Sequence, residues 1–241
     1  MPFTKEDTEM DWNERSNKEL AREWLLSFVP EDWWVRYLGF PAAEALFEKK
    51  LCSSRSVEYM TLLERDPVIF KELSKVVDAD FQKVDVDTLE MNLDDYPNVD
   101  LTFHEYNLVW LDYCGPITPV RLSVLKEALR FIARDGIVAV TFMVGREKKS
   151  ANTIIDFFDS TNDVEVDNPS EVPIHFIRRV RAIAEMVSGL PYNYRISVLP
   201  YADHVPMMCI VFEQTKKRST VVVEPYLKRK IDNESERDSD T

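Results

Sequence analysis

The chain has 241 residues, with 30 Lys plus Arg against 43 Asp plus Glu, for a formal net charge of -13. That surplus opposes long-range approach to a phosphate backbone or an anionic membrane, so nucleic acid is not a favoured partner. Hydrophobic residues at 45% and aromatics at 11% exclude global disorder, and the length suits one large core.

Cys52, Cys114 and Cys209 form no C-x-x-C pair, and His104, His175 and His204 lack ligand spacing, so no metal site is expected. The start, MPFTKEDTEMDW, has neither a basic stretch nor an apolar one. The longest apolar runs, such as IVAVTFMV, fall far short of the ~18 residues that span a bilayer. The reading is a cytoplasmic, reduced protein with no membrane partner. Lys228, Arg229 and Lys230 are too short a basic run to argue nuclear import.

In chain order, residues 1–12 read as a flexible charged tail. A helix near 13–28 places Leu20, Trp24, Leu25 and Phe28 on one stripe, and Pro30 ends it. WWVRYLGF, 33–40, is a strand, followed by a helix carrying Leu46, Phe47 and Leu51 inward. VEYMTLLE, 57–64, is the next strand, and Asp66-Pro67 is an N-cap and first-turn signal for a helix burying Phe70, Leu73 and Val77. FQKVDV, 81–86, reads as a short strand ending near Asp85.

NLVWLD, from 107, is nearly continuously apolar, as in a strand covered on both faces, with Gly115 and Pro116 making the turn after it. Leu122, Leu125, Leu129 and Ile132 mark a helix, GIVAVTFMV another two-sided strand, and helices are expected at about 150–159 and 172–188. YRISVLP and MMCIVFEQT are separated only by YADHVP, which makes them antiparallel neighbours, because a parallel return needs a longer crossover. Residues 13–227 therefore form a single domain, and 228–241 a disordered charged tail.

This alternation gives an α/β fold: a Rossmann-like three-layer sandwich whose mostly parallel seven-stranded sheet ends in an antiparallel C-terminal hairpin. In such sheets ligands bind at the C-terminal strand edge. The reading puts Glu64, Asp85 and Asp112 there, at the ends of successive strands. The order of these features resembles the class I S-adenosylmethionine-dependent methyltransferases over roughly residues 33–215. The resemblance implies S-adenosylmethionine as cofactor, with Glu64 on the ribose, Asp85 on the adenine amine, and Gly39 and Glu44 in the loop at the methionine end. Asp112 and Tyr113 would then be the catalytic pair beside an unknown methyl acceptor.

The departure is in the first loop. The family usually has a glycine-rich turn there, whereas YLGFPAAE offers Gly39 alone and the whole chain has 5 glycines. The alternative is therefore a catalytically inactive methyltransferase-like module that binds or regulates a protein partner, through the region of Trp12, Trp24, Trp33 and Trp34. Cys114 is not expected to be a nucleophile: attack needs a thiolate, and neighbouring Asp112 disfavours one. His204, in the hairpin loop, is at most a base near the sheet.

Overall fold

A computed structural model describes residues 16–95, 102–144, 174–202, 205–217 and 219–224. The chain runs α1 (Ser16–Phe28), β1 (Trp34–Gly39), α2 (Leu46–Ser54), β2 (Ser56–Glu64), α3 (Pro67–Asp80) and β3 (Asp85–Glu90), with a 3-10 turn at Leu93–Asp95. It continues through β4 (Leu108–Pro116), α4 (Pro119–Phe131), β5 (Ile137–Met143), α5 (Ile174–Ser188), β6 (Asn193–Ala202), β7 (Pro206–Thr215) and β8 (Thr220–Val223). The helix expected at 150–159 and the hairpin residue His204 lie outside the described residues.

The strands form one 8-stranded sheet in the order β3-β2-β1-β4-β5-β7-β6-β8. Neighbours pair in parallel from β3 through β5, β7 runs antiparallel between β5 and β6, and β8 joins β6 in parallel. The α/β sandwich with its antiparallel hairpin is thus present, with one strand more than the expected seven. The additional strand is TVVV, whose Val221 and Val223 are buried against β6. Its brevity hid it beside the charged tail.

Sequence chemistry explains several boundaries. Asp66 caps α3 by accepting the N–H groups of Val68 at 2.8 Å and Ile69 at 3.3 Å, and Pro67 occupies the first turn, where no N–H partner is needed. Thr118 and Pro119 repeat the device at α4. Gly115 and Pro116 do not form the turn after the fourth strand. β4 runs on through Pro116, and its register with β5 shifts between Asp112 and Pro116.

Alternating side chains divide the core between the two faces of the sheet. On one face Leu25, Val35, Tyr37, Phe47, Leu51, Leu62 and Trp110 pack beneath α1, α2 and α3. On the other, Leu38, Leu63, Leu111, Tyr113, Leu125, Phe142 and Ile177 pack beneath α4 and α5. The inward stripe of α1 is shifted from the expected one. Ala21, Leu25, Leu26 and Val29 are buried, while Leu20 is 43% exposed.

Candidate active site

The parallel sheet reverses its direction of growth between β1 and β4, so the crevice of interest lies at the C-terminal ends of those strands and of β2 and β3. Glu64 closes β2 there as expected. Its Oε1 accepts the Asp66 N–H at 2.8 Å, and burial raises its pKa from the ordinary value against the opposing pull of the backbone donors. A carboxylate offers about four acceptor sites, so the backbone N–H groups of Arg65 and Asp66 leave capacity for a diol.

Asp85 does not join it. Asp85 opens β3 instead of closing it and pairs in register with Tyr59, so it lies at the opposite edge of the sheet. The reason is local: Phe81 caps α3 and Val84 N bonds Phe81 O, a turn that absorbs the first residues of the expected strand. Glu90 is the acid that ends β3, level with Glu64, and Met91 N bonds Glu64 O just beyond it. The period-2 run VDVDTLE carried this signal, because the strand pattern continues past Asp85 to Glu90.

Gly39 ends β1, and its absent side chain makes room within the protein. A Cβ there would lie 1.8 Å from the Tyr37 hydroxyl, which is fully buried and donates to Glu48 Oε1 at 2.8 Å. The loop that follows bends without glycine. Ala45 takes the left-handed conformation (φ 48°, ψ 45°) immediately before α2. Such backbone costs a residue with a side chain roughly 1–2 kcal/mol, a strain often found at functional loops. Glu44 is exposed on this loop.

Asp112 and Tyr113 are adjacent on β4 and therefore face opposite sides of the sheet. Asp112 lies under α1, where Lys18 Nζ is 3.4 Å from Oδ2 and the two side chains are only 10% and 9% exposed. Its charge also reaches Tyr37, Glu48 and Cys209, whose pKa values are all raised, chiefly by burial; that of Cys209 is pushed up to about 12. Lys18, Arg22 and Glu48 are functional-site candidates that sequence reading missed. The signal was spacing: Lys18, Arg22, Leu25 and Val29 follow one helical stripe, and Glu48 lies beside Phe47 and three residues before Leu51.

Tyr113 packs on the other face. It meets Phe40 edge-on at 5.3 Å, stacks on Phe142 at 5.7 Å and carries the Arg121 guanidinium 4.7 Å above its ring. Arg121 is itself clamped to Asp94 by bonds of 2.9 and 3.0 Å, and donates to Pro116 O at 2.9 Å. The Tyr113 hydroxyl is buried with no hydrogen-bond partner. Burial drives its pKa well above the ordinary tyrosine value, so near neutral pH it is a donor and not a base.

No family model matches the sequence, and no curated protein matches it. Solved structures do match in three dimensions. TYW2 of M. jannaschii, in complex with AdoMet, overlays 87% of this chain and 80% of its own with a TM-score of 0.54 at 13% sequence identity. An rRNA methylase from Streptococcus thermophilus overlays 83% of this chain and 97% of its own, with a TM-score of 0.52 at 8% identity. With its strand order and single antiparallel strand, the chain has the fold of the class I methyltransferases.

Proposed function

We propose that the protein is an S-adenosylmethionine-dependent methyltransferase acting on an acceptor of unspecified class. The observation that carries this reading is Glu64, a half-buried carboxylate at the C-terminal end of β2 beside the switch point of a methyltransferase fold. The residues present fit the adenosine half of the cofactor. Glu64 would accept the ribose hydroxyls, Glu90 in place of Asp85 would lie on the adenine side, and the strained turn at Ala45 with Glu44 would border the methionine half.

When bound, S-adenosylmethionine supplies a methyl group already activated on sulfonium. The chain's own contribution is alignment, which in a bimolecular displacement is worth several orders of magnitude. Tyr113 is fitted to donate a hydrogen bond. Asp112 would act near the acceptor only when Lys18 is displaced from it. Of the tryptophan-rich region, Trp12 lies outside the described residues; among those described, Trp24 and Trp33 pack against the core and Trp34 is 70% exposed.

Calorimetric titration with S-adenosylmethionine and S-adenosylhomocysteine tests the reading. Micromolar binding is expected, weakened at least ~10-fold in Glu64→Ala, since hydrogen bonds to a charged group are worth about 1.5–3 kcal/mol. Binding unchanged in that variant would remove Glu64 from the site. No heat and no thermal shift from either ligand would end the enzyme reading.

A further inference from the structure

The crevice is closed on its Asp112 side by the first two turns of α1. The void left between Lys18, Arg22, Phe40, Glu48, Trp110 and Asp112 is about 10 Å³. That holds one water at most. A pocket for a drug-sized ligand is roughly 300 Å³ or more, so nothing of that size fits there while the helix stays in place.

The two halves of α1 are held by different forces. The second half is anchored by Leu25, Leu26 and Val29 in the main core, and Arg55 donates to Val29 O at 2.8 Å and Leu26 O at 3.2 Å. The first half is held mostly by polar contacts: Asn17 Nδ2 to Ala202 O at 2.6 Å, Lys18 to Asp112 at 3.4 Å, and Glu19 to Lys50 at 2.7 Å. Among the described residues Ala21 is the buried apolar side chain there, in a cluster with Leu199, Tyr201, Met207 and Cys209. Charged groups released from such contacts regain water, which offsets most of what they lose. Released apolar side chains have no such return.

We infer that the first two turns of α1, residues 16–22, form a latch over the crevice, pinned by Lys18 on Asp112, and that the latch must lift for a ligand to occupy the methyl-transfer side of the site. The second half of the helix stays docked as the hinge post. The latch also keeps Asp112 paired with Lys18 until a ligand displaces the helix. This rests on the crevice being the donor site proposed above.

A lock and an exchange measurement test it separately. In Asn17→Cys/Ala202→Cys, with the disulfide confirmed by mass, the oxidised protein should bind S-adenosylhomocysteine at least ~10-fold more weakly than the same protein after reduction. Equal affinity in the two states would overturn the latch. Hydrogen exchange on the ligand-free wild type should show the amides of residues 20–22 exchanging at least ~100-fold faster than those of residues 26–28. Uniform exchange along the helix at the global unfolding rate would also overturn it. Should the wild type itself fail to bind S-adenosylhomocysteine, the donor reading fails, and the exchange pattern alone then upholds or overturns the latch.

Discussion

At Gly39 the lack of a side chain accommodates the buried Tyr37–Glu48 hydrogen bond. Gly39→Ala should cost about 2–4 kcal/mol in chemical denaturation, as overpacking plus a disturbed buried bond; a loss below 0.5 kcal/mol would contradict the packing account. Tyr113→Phe should leave stability unchanged or raise it by about 1 kcal/mol, because it removes a buried hydroxyl that has no partner.

Glu48 is fully buried, and burial raises its pKa above the ordinary 4.5. As pH rises from that value through the raised folded pKa, the unfolded chain has released its proton and the folded chain still holds it, so stability falls across that window. Glu48→Gln should therefore remove this part of the pH dependence. The check is the difference between wild-type and variant denaturation free energies from pH 4 upward, which should grow in favour of the variant. A flat difference would contradict the burial argument. None of this was legible beforehand, because a helical Glu reads as solvated until its neighbours are placed.

At the scale of elements, capping and periodicity were the reliable signals. Asp66-Pro67 marked the start of α3 correctly, and Asp66→Ala should cost about 1 kcal/mol and lower the melting temperature accordingly. Elements with weak patterns slipped. β3 begins where it was expected to end, because an edge strand with acids at alternate positions has no apolar core pattern to fix its register. In α1 the inward stripe includes Lys18 and Arg22, charges that a hydrophobicity pattern assigns to water.

For the whole molecule, the alternation of helices and strands and the short link between β6 and β7 sufficed to set the architecture, because crossover length and strand burial are written in the sequence. The convergence of acids was only half legible. Glu64 and Glu90 share one edge, and Asp85 lies at the other end of the same strand as Glu90. A cavity of about 440 Å³ lies at that other edge, lined by Lys49, Cys52, Asp80, Phe81, Lys83 and Val84, where β3 begins. It is the rival location for any ligand. Among the described residues no helix is long and apolar enough to cross a membrane.

The most direct measurement is a crystal structure of the protein with S-adenosylhomocysteine. The account expects the adenosine at the C-terminal edge, its ribose hydroxyls within hydrogen-bond distance of Glu64 and α1 lifted at Lys18. Density in the cavity beside Lys49 and Lys83, with Glu64 still bound only to its own backbone, would contradict it.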